Sequence, residues 1–174
     1  NSLSDTGITD LTVQISNNRL PIENLNIAKT DFGSQGARAV ASMLDNLPGI
    51  RSLCMQRNSI CEIGFSYLAA SLRKATTLQV LQWPRTDQHD DNNPKQEQWI
   101  LTIQTSFTLM HKLRRLHIQN SELGDRGTTA LANILHRLTY ITDLDLSHTG
   151  ITDVGARKLT HHLTELNKLA SIKL

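Results

Sequence analysis

The sequence predicts an α/β solenoid, an arc of stacked 28-residue units with parallel strands on its concave side and helices on its convex side. Three observations carry this. Six short segments share one spacing of apolar residues. Most of them lead through a small polar residue to a glycine, and apolar residues then recur at helical period.

The first segment is Ile22-x-x-Leu25-x-Ile27. It returns as Ile50-x-x-Leu53-x-Met55, Leu78-x-x-Leu81-x-Trp83, Leu113-x-x-Leu116-x-Ile118 and Ile141-x-x-Leu144-x-Leu146, with Leu169-x-x-Ile172-x-Leu174 closing the chain. The starting residues lie 28, 28, 35, 28 and 28 apart, so the long interval is 28 plus 7. Period two turns alternate residues to one face of a short strand. Thr30, Asn58, Thr86, Ser121 and Thr149 follow three positions after the segments, where a small polar side chain can hydrogen-bond the backbone as the strand ends. Next come Phe32, Ile60, Leu123 and Ile151, and then Gly36, Gly64, Gly127 and Gly155, which let the incoming helix pack close to its neighbour. Apolar stripes such as Leu131, Ile134, Leu135 and Leu138, or Leu159, His162, Leu163 and Leu166, place the helices against the same core. One unit cannot bury its own face and must stack on others. Helices are wider than the strand spacing of about 4.8 Å, which bends the stack.

Composition agrees with thin, repetitive packing. Of the 174 residues 39% are hydrophobic but only 4% aromatic, so the core is built from Leu, Ile, Val and Ala rather than from a few large anchors. A net charge of +2 gives no bulk attraction to nucleic acid or membrane, and neither is expected as a partner. Two cysteines, Cys54 and Cys61, do not make a disulfide framework, and no apolar run approaches the length of a membrane span. A cytoplasmic location is the expectation.

These residues carry a family resemblance. The stretch Leu144-Asp-Leu-Ser-His-Thr-Gly-Ile-Thr-Asp-Val-Gly-Ala-Arg-Lys-Leu159 resembles the long repeat of ribonuclease inhibitor, RanGAP and the NOD-like receptors. The fold implied is a leucine-rich-repeat solenoid of the ribonuclease-inhibitor type, a horseshoe arc. The resemblance departs clearly only around residues 87–98, and the scarcity of cysteine sets the chain apart from ribonuclease inhibitor itself. It is most like the repeat region of NOD-like receptors.

The chain reads as a single domain over 1–174, with a partial repeat at 1–21, repeats starting at 22, 50, 78, 113 and 141, and a terminal strand at 169–174. Residues 1–21 enter in mid-repeat: Leu3 to Gly7 matches Ile151 to Gly155. Complete solenoids protect both ends with caps, so the expectation is a piece of a longer protein, or else a short chain that pairs edge to edge as a dimer. The insertion at about 86–98 is polar and acidic, and Pro94 is expected to start a helix through Trp99, Ile103, Phe107 and Met110. It reads as a surface loop at the rim.

Function in such an arc falls to strand and turn residues facing away from the core. Counted from the first apolar residue of each segment, offset 7 forms a column of Lys29, Arg57 and Arg85 that continues through Asn120 to His148. Gln82, Arg115 and His117 lie on the concave strands, and Asp143 and Asp145 make the far end acidic. A basic ladder about 5 Å between rungs favours an acidic partner. An ordinary solvated face of mixed charge is the plainer reading. Trp83 holds a leucine position and is expected in the core. Asp143, Asp145, His148 and His117 lack recognised metal-ligand spacing, so neither metal nor cofactor is expected. The glycines fall at repeat spacing rather than in a phosphate loop, and no serine nucleophile elbow occurs. Cys54 has only Arg57 nearby to lower its pKa. The chain is therefore read as a binding module and not an enzyme. The resemblance implies a protein or peptide ligand on the concave face of an innate-immune sensor, with a regulator of an enzyme or a self-associating scaffold as alternatives.

Overall fold

The computed structural model describes residues 3–86, 100 and 104–174. Six short parallel strands form one sheet: β1 Asn24–Asn26, β2 Ser52–Cys54, β4 Val80–Gln82, β6 Arg115–His117, β7 Asp143–Asp145 and β8 Ser171–Lys173, in that order. Their register follows the spacing of the sequence, with Leu25 beside Leu53, then Leu81, Leu116, Leu144 and Ile172. Leu53, Leu81, Leu116 and Leu144 are completely buried. Removing one to alanine would cost about 2–5 kcal/mol. A second, two-stranded pairing joins β3 Ser59–Ile60 to β5 Arg85–Thr86, which the repeat pattern does not announce.

Helices α1 Ser4–Asn17, α2 Ser34–Leu44, α3 Glu62–Leu72, α4 Gly124–Leu135 and α5 Asp153–Leu163 connect the strands. Their apolar stripes meet the inner side of the sheet, and the core runs continuously from Ile8 to Leu166. Helix spacing depends on glycine. A Cβ at Gly64 would press into the Ile60 side chain and come within 3.1 Å of both Ala37 Cβ and Ser34 Cα on the neighbouring helix.

Glycine also admits a clasp between repeats. Asp125, in the first turn of α4, accepts hydrogen bonds from Thr152 N at 2.8 Å, Thr152 Oγ1 at 2.6 Å and Gly155 N at 3.0 Å. In return Gly124 N donates to Thr149 O at 2.9 Å. The same arrangement joins α1 to α2: Asp5 Oδ1 receives Gly33 N and Gly36 N, each at 2.7 Å, while Ser4 N donates to Thr30 O at 3.0 Å. A carboxylate borrowed from the preceding repeat thus satisfies N–H groups that open the next helix. These bonds hold the Asp125 carboxyl below the ordinary carboxylate range, the Thr152 hydroxyl contributing most.

Thr30, Asn58, Ser121 and Thr149, the small polar residues behind their strands, are buried. Thr30 Oγ1 donates to Ile27 O at 2.9 Å and Thr149 Oγ1 to Leu146 O at 2.6 Å, each closing its own turn. Asn58 does more. Its Nδ2 donates to Met55 O at 2.9 Å in its own repeat and to Ile27 O at 2.8 Å in the one before, while its Oδ1 accepts from Thr30 N at 3.0 Å.

Trp83 is fully buried, as expected of a residue at a leucine position. It stacks on Phe65 with ring centroids 5.4 Å apart and meets Phe107 edge-on at 5.5 Å. This aromatic trio fills the irregular repeat. Of the helix expected from Pro94, the residues Pro94, Trp99 and Ile103 lie outside the described residues. Residues 100 and 104–106 are α-helical as expected, and Phe107–Leu109 then tightens into a turn of 3₁₀ helix that ends before Met110. The body of the 86–98 insertion also lies outside the described residues.

Candidate functional site

The outward residues of the strands form a linked polar row. Cys54 Sγ donates to Gln82 Oε1 at 2.7 Å, Gln82 Nε2 faces His117 Nδ1 at 3.4 Å, and His117 Nε2 lies 3.1 Å from Asp143 Oδ2. All three contacts are satisfied together when His117 is neutral with its proton on Nε2, so that every donor points toward Asp143. The row brings a thiol, an imidazole and a carboxylate onto one face, yet Gln82 stands between thiol and imidazole. Burial pushes the Cys54 thiol above its ordinary value, outweighing the hydrogen bond with the Gln56 backbone. A thiol in that state, without a base in reach, is a poor nucleophile. The row links four neighbouring strands, β2, β4, β6 and β7, across the concave surface.

Asp145 departs from the expectation of an outward, solvated acid. It is 3% exposed, because Lys173 on the next strand reaches over it at 3.5 Å and its Oδ1 turns back to accept Ser147 N at 3.1 Å. Burial pushes its carboxyl up, but Ser147 and the Lys173 charge together hold it below the ordinary range. Asn26, at the same place in the first full repeat, makes the same turn with Ala28 N at 3.1 Å. The acidic far end is therefore muted, leaving Asp143 half-buried against His117 and Arg115 exposed on its strand.

The basic column has a backbone signature that the sequence conceals. Lys29, Arg57, Asn120 and His148 all adopt left-handed backbone, with φ of 56°, 58°, 58° and 56°. At two of these turns the ladder continues: Lys29 N still donates to Gln56 O at 3.0 Å, and Asn120 N to Ser147 O at 2.9 Å, so the chain reverses direction while its N–H stays on the neighbouring repeat. Asparagine tolerates this conformation, whereas lysine, arginine and histidine do so at a cost of about 1–2 kcal/mol. Arg85 is the exception, lying in β5 beside Ser59 with no left-handed residue. All four side chains in the turns, and Arg85, are exposed.

Arg57 and Arg85 border a cleft of about 410 Å³ together with Gln56, Gln119 and Asn120. Gln56 and Gln119 stand at offset 6 of the second and fourth full repeats. Between them that offset is taken by Pro84, which is buried and sends no polar side chain into the gap. Sequence spacing picks out the two arginines and Asn120, but not the cleft that they share with Gln56 and Gln119. Asp5 and Asp125 were also not singled out by the sequence. Both stand two residues before a helix glycine, Gly7 and Gly127, which is the signal that could have found them. Among the described residues no group of three His, Cys, Asp or Glu side chains could hold a metal ion, and no helix is long and apolar enough to cross a membrane.

Comparison with known proteins agrees with this architecture. The family pattern described as "Leucine Rich repeat" matches residues 110–132 and 137–159. The NACHT, LRR and PYD domains-containing protein 3 of Bos taurus is 26% identical over 136 residues, which is 78% of this chain and 12% of that protein. The chain thus spans about an eighth of that relative's length. The crystal structure of an internalin from Listeria monocytogenes superposes with a TM-score of 0.57 at 19% identity, covering 97% of this chain and 37% of the internalin, a likeness of fold. The repeat spacing, the parallel sheet in 28-residue register and these matches together identify the chain as a leucine-rich-repeat solenoid whose repeats resemble those of the NOD-like receptors.

Proposed function

We propose that this chain is a protein-recognition module, the ligand-sensing part of an intracellular NOD-like receptor, and that it takes a protein or peptide segment on the concave face. The observation that carries this reading is the organisation of that face. Its strand residues form a fixed polar row, while the turns beside it hold charged side chains that no core contact uses. A surface that is rigid underneath and unpaired at its edge suits recognition, because little ordering remains to be done on binding. Likeness to the cattle protein supports the receptor class. Lys29, Arg57, Arg85, Arg115, Asn120 and His148 supply exposed contacts in this reading, with Gln82, His117 and Asp143 as the row beneath.

The test compares opposite faces. Arg115→Glu changes an exposed strand residue of the concave side, and Lys158→Glu an exposed residue of helix α5. Immobilised wild type and both variants are challenged with extract from cells of the innate immune system, and captured proteins are quantified. Partners lost with Arg115→Glu but kept with Lys158→Glu support concave recognition. Partners lost only with Lys158→Glu, or kept by both, overturn it.

A further inference from the structure

We infer that the cleft bounded by Gln56, Arg57, Arg85, Gln119 and Asn120 is a site for an oxyanion carried on an extended peptide, with the two guanidinium groups as its anchors. The inference rests on the reading of this face as a peptide-binding surface and names the chemistry of what it takes.

The charges come first. Elsewhere in the solenoid Arg51 meets Glu23 at 3.3 Å and Lys74 meets Asp45 at 3.0 Å. Arg57 and Arg85 have no such partner among the described residues, although they border the same cleft. A guanidinium presents a planar fork that matches a carboxylate or phosphate through paired hydrogen bonds. Two forks facing one cleft repel each other, and an anion between them relieves that repulsion.

The amides come second. Gln56 Nε2 is buried against the cleft with no hydrogen-bond partner. A buried donor left unsatisfied is costly, and a ligand oxygen removes the cost. Gln56 and Gln119 stand two strands apart, about 10 Å by the usual strand spacing. With Asn120 they offer donors and acceptors on both sides of the arginines, the complement of a peptide backbone whose acidic side chain points between them. The left-handed backbone of Arg57 and Asn120 fixes the direction in which these side chains leave the turn. A lone surface arginine lacks that preorganisation.

Glutamate and phosphoserine carry the shared chemistry, and the experiment separates them. Fluorescein-labelled hexaglutamate, a phosphoserine peptide of equal length and a hexalysine control are titrated against the full chain by fluorescence anisotropy, in about 0.1 M salt, where the screening length is about 10 Å. Binding of hexaglutamate assigns a carboxylate, and binding of the phosphoserine peptide alone assigns a phosphate. In either case Arg57→Gln with Arg85→Gln weakens binding by at least about tenfold, while Lys158→Gln, on the exposed side of helix α5, changes it by less than about twofold. Arg57→Lys with Arg85→Lys keeps the charge but loses the fork, and falls between wild type and the glutamine pair. Circular dichroism and urea midpoints establish that each variant is folded. Absence of binding by both anionic probes, or equal weakening by Lys158→Gln, overturns the site. That failure leaves concave recognition standing, because the face-comparison experiment reads Arg115 and not the cleft.

Discussion

Asn58 joins two repeats through a single buried amide, and its removal has a calculable cost. The side chain is 1% exposed. In Asn58→Ala, Thr30 Oγ1 keeps its bond to Ile27 O, so neither of those atoms is orphaned. Two groups do lose their partner: Thr30 N, which donated to Asn58 Oδ1, and Met55 O, which accepted from Nδ2. At about 1–3 kcal/mol for each buried group left unsatisfied, the loss is about 2–6 kcal/mol. Asn58→Thr makes the reasoning sharper. A threonine there can close the turn onto Met55 O, as Thr30 does onto Ile27 O and Thr149 onto Leu146 O. Only Thr30 N is then orphaned, and the loss falls to about 1–3 kcal/mol.

Urea unfolding followed by circular dichroism gives the two losses. Equal transitions by fluorescence show whether the stack unfolds as one unit, because repeat arrays can lose that cooperativity. Hydrogen exchange supplies the local readout. The Thr30 amide exchanges faster in both variants, whereas amides of β7 keep their protection relative to the global stability. If Asn58→Thr is as damaging as Asn58→Ala, or if Thr30 stays protected in either, the inter-repeat amide is not what holds this junction.

Other perturbations probe the remaining features. The folded pKa of Asp125 lies below its unfolded value of about 3.9, so its clasp stabilises above that pH and the contribution is lost as pH falls toward the folded value. The gap in urea midpoint between wild type and Asp125→Asn therefore narrows below about pH 4, and a constant gap across that range refutes the clasp. Gly64→Val forces a side chain into Ile60 and the neighbouring α2, and costs about 1–3 kcal/mol in a denaturant titration. Lys29→Gly relaxes a left-handed turn and raises stability by about 0.5–1 kcal/mol after the added freedom of the unfolded chain is counted, while a loss would mean that the lysine stem packs favourably. With a chromogenic disulfide reagent at neutral pH, exposed Cys61 reacts first and Cys54 slowly, because burial raises the Cys54 thiol. Comparable rates would contradict that environment.

How much of this was legible in the residues follows from what repeats and what does not. Leu53, Leu81, Leu116 and Leu144 announce strand, register and core together, since one spacing sets all three. Trp83 was placed correctly for the same reason. The candidate site was legible as a list of outward positions and not as a surface. Asp145 was expected to face solvent, but its cover comes from Lys173, 28 residues away, which no local pattern links to it. The left-handed turns at Lys29 and Arg57 were hidden because those residues have no preference for such backbone. At Lys29 a hydrogen bond to Gln56 O of the neighbouring repeat accompanies it. Asp5 and Asp125 look like ordinary first-turn acids, and their real work is in the following helix. The cleft gathers Gln56 and Arg57, Arg85, and Gln119 and Asn120 from three neighbouring repeats, which meet only when the strands are stacked.

The left-handed turns bear on how this chain could be engineered. A campaign selecting for thermal tolerance alone would drift toward glycine at Lys29, Arg57 and His148, since each replacement relieves the backbone. Every step of that optimisation would also erase a side chain from the rim. A hardened scaffold would emerge with its edge blank, so a screen for robustness needs a second selection for charge at those positions if the surface is to survive.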